Sequence, residues 1–120
     1  MPISHSQVQK DIAEVAVPMF GDALNISYYP SRMTDSVFIK FAEVENVKTI
    51  GGAKEALVNI NEMLADLIKS WDYFEDDEQT KMWPLTPESF ALLDMTFKMK
   101  CLFAIMRHVR PEAAVPAIPT

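Results

Sequence analysis

One cysteine, three glycines and two histidines among 120 residues exclude much of the chemistry a small protein can carry. A single thiol, Cys101, forms no intrachain disulfide and assembles no thiolate metal cluster, which suits a reducing compartment. Three glycines leave no GxGxxG or P-loop phosphate cradle, and no GxSxG is present. His5 and His108 are far apart and outside any HExxH frame, so each reads as a surface histidine and not as a zinc ligand or catalytic base. Eleven Lys and Arg stand against 17 acids, giving a net charge of −6 and a pI near 4.8, which argues against a nucleic-acid surface. No apolar run approaches the roughly 18 residues of a membrane span, and MPISHSQVQKDIAEV lacks the apolar centre of a signal peptide. Neither nucleic acid nor a membrane is expected as a partner, and the expected location is cytoplasmic.

What is present is a chain that should fold: 49% hydrophobic residues, at a length that suits one domain with one core. Residues 1–13 are mostly polar and read as a tail or short helix. The stretch EVAVPMFGDALNISYYP has two β-prone runs around Gly21-Asp22, a turn-forming pair, and predicts a hairpin. Pro18 removes a ladder donor, so its strand should be an edge or bulged. Leu24, Ile26 and Tyr28 alternate with Asn25, Ser27 and Tyr29, giving one apolar face. After Pro30, Ser31 or Thr34 caps a helix to about Val47 with Val37, Phe38, Phe41, Val44 and Val47 as its stripe. Gly51-Gly52 should break it. A longer helix is predicted from about Ala53 to Trp71, because Ala53, Ala56, Leu57, Ile60, Met63, Leu64, Leu67, Ile68 and Trp71 follow the helical period.

Thr86-Pro87-Glu88 has the signs of a helix start. That helix should pause near Asp94, and MTFKMKCLFAIMRHV continues as a segment apolar on two sides. The expected fold class is α+β, mostly α: an N-terminal β-hairpin followed by a compact bundle of about four helices. Residues 14–110 form that single domain, and 111–120, with three prolines in ten residues, form a flexible tail.

Between the two long helical patterns lies KSWDYFEDDEQTKMWPLTPESF, with five acids from Asp72 to Glu78 and the two tryptophans of the chain, Trp71 and Trp83, on either side. An EF-hand frame begun at Asp72 puts Phe74 at position 3, Asp77 at the glycine position and Trp83 at position 12, so calcium chemistry of that kind fails. The segment reads as a link between two helices, pinned by its tryptophans, with acids that serve solubility. Cys101, flanked by Leu102, Phe103 and Ala104, reads as a small buried residue and not a nucleophile. No catalytic constellation, metal site or cofactor site emerges, and the chain does not read as an enzyme. Eight methionines, half of them between Met82 and Met106, fit either a Met-rich core or an adaptable binding face. A last helix apolar on two sides must be central or meet a partner.

The order of these features resembles the tail assembly chaperones of long-tailed bacteriophages. The likeness covers roughly residues 15–111 and rests on FGDALNISYYP, LIKSWDYFEDDEQTKMWPLTPESF and a closing RHVRP at these separations. The resemblance implies a non-enzymatic protein that binds and solubilises the tape measure protein, helps recruit the major tail tube protein, acts in the host cytoplasm and is absent from the mature virion. It also implies the shorter product of a frameshifted pair, with RPEAAVPAIPT at the junction. The chain departs from the pattern in its acidic turn, which is longer than usual and lacks glycine, and residues 1–14 have no counterpart. An interaction surface is expected around Trp71, Trp83, Phe97, Met99, Phe103 and Met106. Any of these six residues could instead be core, with Trp71 and Phe103 inclined that way. A homo-oligomer through the last helix would also cover apolar surface. The alternative class is a small structural or adaptor protein of the virion, such as a head-tail connection component.

Overall fold

The computed structural model describes residues 2–45 and 50–109. Its elements run α1 (His5–Lys10), β1 (Ala13–Met19), β2 (Asp22–Tyr28), α2 (Asp35–Glu45), α3 (Ile50–Leu67), β3 (Ile68–Trp71), α4 (Pro87–Phe90) and α5 (Met95–Val109), with a short 3-10 turn at Pro30–Arg32. The fold is α+β and mostly α. Val47 and the proline-rich tail at 111–120 lie outside the described residues.

The expected hairpin is present, but its turn lies one residue earlier than Gly21-Asp22. Met19 pairs with Asp22, leaving Phe20 and Gly21 as the two-residue loop, both at positive φ (53° and 75°). That combination is the tight turn whose twist matches the flanking strands. Val17 and Met19 of β1, with Leu24, Ile26 and Tyr28 of β2, are buried on the sheet's inner face. Pro18 is accommodated because the strand order β1-β2-β3 leaves β1 at an edge.

The long helix is shorter at its C-terminal end than its period predicts. It ends at Leu67, and Ile68–Trp71 runs on as a third antiparallel strand against β2. The pairing joins Ile26 to Trp71, Ser27 to Ser70 and Tyr28 to Ile68, with a bulge between Ser27 and Tyr28. A regular strand would send Ile68 and Trp71 to opposite faces. The bulge absorbs the odd residue, so both are buried beside Ile26 and Tyr28. Closure of β2's second edge satisfies backbone groups that a continuing helix would leave open. Tyr29 N donates to Leu67 O (2.9 Å) and Asp72 N to Asn25 O (3.2 Å), extending the contact past both ends of the ladder.

At its other end α3 includes Gly51 and Gly52 instead of being broken by them. An interior glycine costs a helix only about 1 kcal/mol relative to alanine, which the packing of a long amphipathic helix outweighs. The buried side of α3 presents Ala56, Ile60, Met63, Leu64 and Leu67, while Leu57 is exposed. The core forms where the sheet's inner face meets α3 and α5, through Ile60, Leu64, Leu102, Ile105 and Met106.

The helix restart at Thr86 is present: its side chain accepts from Ser89 N (3.2 Å) with Pro87 at the first helical position. This helix lasts only four residues. Asp94 then caps α5, its Oδ1 accepting from Phe97 N at 2.6 Å. The buried stripe of α5 is Lys98, Cys101, Leu102, Ile105 and Met106. Lys98, a cation within this apolar stripe, is only 3% exposed. Its Nζ donates to Asn61 Oδ1 of α3 at 2.8 Å. That partnership explains how a lysine occupies a core position.

Candidate functional site

The six residues expected to form an interaction surface divide into three groups. Trp71 is buried and Trp83 and Phe97 are partly buried; all three belong to an aromatic cluster with Tyr73 and Phe90. Ring centroids lie 5.2 Å apart for Trp71 and Tyr73, 5.4 Å for Trp71 and Phe90, 5.8 Å for Tyr73 and Trp83, and 4.7 Å for Tyr73 and Phe97. Met106 is buried in the core. Met99 and Phe103 lie elsewhere, along an open groove. Trp71 and Met106 therefore offer no surface to a partner.

The aromatic cluster holds the acidic segment in place. Trp71 Nε1 donates to Trp83 O (3.1 Å) and Trp83 Nε1 to Ser89 O (3.3 Å), which gives each indole a partner as burial requires. Between the tryptophans the chain doubles back: Trp83 N donates to Tyr73 O (2.8 Å), Phe74 bridges Met82, and Glu75 N donates to Lys81 O (2.9 Å). Three of the segment's five acids, Asp72, Glu75 and Asp76, make local contacts. Asp72 accepts from Asn25 N and Nδ2, both at 2.7 Å, tying the segment to β2. Asp76 accepts from Thr80 N (3.1 Å), Lys81 N (3.2 Å) and the Thr80 hydroxyl. The Thr80 hydroxyl, followed by backbone N–H groups, holds the Asp76 carboxyl below its ordinary range. Glu75 pairs with Lys81 at 3.3 Å. Among the described residues no three His, Cys, Asp or Glu side chains are grouped to hold a metal ion.

Cys101 is buried, and burial pushes its thiol up to about 12, leaving it protonated and inert at neutral pH. His108 sits on the surface, where its Nδ1 pairs with the hydroxyl of the buried Tyr28 and its ring stands edge-on to the tyrosine at 5.6 Å. Burial raises the Tyr28 pKa, so the tyrosine stays neutral and the pair supports packing between β2 and the end of α5.

The groove lies between the edge strand β1 and α5 and has a volume of about 640 Å³. Val17 and Pro18 line one wall; Met95, Thr96, Met99, Lys100, Phe103, Ala104 and Arg107 line the other. The α5 positions recur every four residues and make one helix face, turned away from the buried stripe. Phe103 is 36% exposed and is braced from behind by Phe41 of α2, edge-on at 5.2 Å. Phe20 at the hairpin tip, 96% exposed, lies outside this groove and lines a smaller pocket with Tyr73 and Phe97. The two-sided apolar character of α5 signals such a face in the sequence, but not the part played by β1, because only the hairpin's placement brings Val17 and Pro18 alongside.

No family model, curated protein or solved structure matches the chain.

Proposed function

We propose that this chain is a bacteriophage tail assembly chaperone, which binds the tape measure protein, keeps it soluble and helps recruit major tail tube subunits in the host cytoplasm before being lost from the finished tail. The observation that carries this reading is the apolar face of α5. Met95 and Phe103 are exposed and, with the half-buried Met99, line the groove opposite Pro18. A tape measure protein exposes long apolar helix faces until the tube surrounds it, and helix-in-groove docking is an economical way to cover them. An acidic chain of net charge −6 would keep such a complex dispersed through like-charge repulsion. The resemblance in FGDALNISYYP and LIKSWDYFEDDEQTKMWPLTPESF supports the same assignment. In this reading the chain acts by binding and catalyses nothing.

Co-expression with the long helical reading frame encoded just downstream tests it. Soluble recovery of the long protein only in the presence of this chain is the expected result. A long protein that is soluble alone, or that never co-purifies, refutes the chaperone assignment. Detection of this chain in purified particles would instead make it a structural or head-tail connection component.

A further inference from the structure

The charge along the α5 groove is opposite to that of the whole chain. All 17 acids lie outside α5, whose sequence MTFKMKCLFAIMRHV contains none. Lys100 and Arg107 both line the groove, and no acid is among its lining residues. Neither cation has an ion pair among the described residues, in contrast to Arg32 with Asp66 and Lys81 with Glu75. Arg107 in the last turn is favoured by the helix dipole. Lys100 in the middle of the helix has no such reason to be there.

We infer that this groove receives an acidic amphipathic helix of a partner protein, with apolar side chains seated between Pro18, Met99 and Phe103 and carboxylates set against Lys100 and Arg107. The inference rests on the chaperone reading only for the partner's identity, a helical segment of the tape measure protein. Geometry sets the partner's pattern. The lining positions from Met95 to Arg107 span about 18 Å of helix, room for roughly three turns of a docked helix. Lys100 and Arg107 are two turns apart, about 10 Å along the axis. The matching acids of a nearly parallel or antiparallel helix are therefore about seven residues apart, flanking an apolar stripe of period three to four. A second copy of this chain fits poorly: a two-fold contact through α5 would bring Lys100 and Arg107 of both copies together, unpaired.

The test uses the full chain and a stapled helical peptide of about 15 residues, with leucines on one face and two glutamates seven positions apart. A control peptide replaces those glutamates by lysines. Fluorescence anisotropy should show the glutamate peptide binding at least about tenfold more tightly than the lysine peptide, with the difference shrinking as salt is raised. The double variant K100E/R107E should reverse that preference while keeping the wild-type circular dichroism spectrum. Equal binding of both peptides, or a preference that survives charge reversal, overturns the inference. So does dimerisation of the wild-type chain through this face, read as a mass halved by M99D. The two readings separate in the co-expression assay. If K100E/R107E still solubilises the long protein, the tape measure segment falls as the groove's occupant and the chaperone stands. If the glutamate peptide binds as expected while the long protein is never solubilised, the chaperone falls and the groove stands.

Discussion

Replacing Asn61 by leucine tests what the buried ammonium of Lys98 demands of the core. Lys98 Nζ donates to Asn61 Oδ1 at 2.8 Å, and both side chains are buried. Removing one partner from a buried charged pair costs about 3–5 kcal/mol. Here the partner is a neutral amide, and Asp94 still favours the charged form from nearby, so the expected loss is about 3 kcal/mol. With a urea slope of about 1.5 kcal/mol per molar for a domain of this size, the midpoint falls by about 2 M. The double change N61L/K98M removes charge and amide together and should recover at least wild-type stability.

The pH dependence has a definite sign. Burial lowers the Lys98 pKa from its ordinary 10.5, so between the folded value and 10.5 the unfolded chain binds more protons. Stability therefore rises with pH across that window. Because Asn61 accepts from the ammonium form, the N61L penalty should shrink as pH rises toward 10.5 and that form is lost. Urea unfolding followed by tryptophan fluorescence at pH 7 and pH 10 provides the comparison. An N61L protein within about 0.5 kcal/mol of wild type, or a double variant no more stable than N61L, would refute the reasoning.

Three further predictions concern turns. Phe20 occupies a positive-φ position that asparagine tolerates better, and its ring is exposed, so F20N should raise stability by about 0.5–1 kcal/mol. G21A should lower it by about 1 kcal/mol from backbone strain alone, since an added Cβ there meets nothing within 4 Å; thermal melts report both. In the acidic segment, the depressed Asp76 carboxyl supports its turn at neutral pH and loses that support as pH falls through its folded pKa. D76A should speed amide exchange at Thr80 and Lys81 without changing exchange in α3; unchanged exchange at those two amides would show that the carboxylate does not brace the turn.

The hairpin was legible because Leu24, Ile26 and Tyr28 alternate cleanly, and the start of α4 because Thr86, Pro87 and Glu88 each carry a separate capping signal. The third strand was not. Ile68 and Trp71 are three apart, a spacing that continues the period of α3, and only pairing with β2 shows that a bulge accounts for it. The burial of Lys98 was not legible either, because only the fold brings Asn61 of α3 to its ammonium. Of the expected interface, Met99 and Phe103 line the groove. Trp71 and Met106 are interior, because large apolar side chains fill a core before they mark a surface. The opposite wall, Val17 and Pro18, depends on a long-range placement that no local pattern encodes.

The central position of β2 has a consequence for the order of folding. Its bond with β1 needs only a two-residue turn, an event of microseconds, whereas Asp72 lies 47 positions from Asn25 and must close a long loop before β3 can pair. The groove is later still, since Val17 and Pro18 must meet a helix that begins at Met95. A chain that has not yet synthesised α5 can form the hairpin but has no groove. Any docking on this groove therefore has to wait for the last helix.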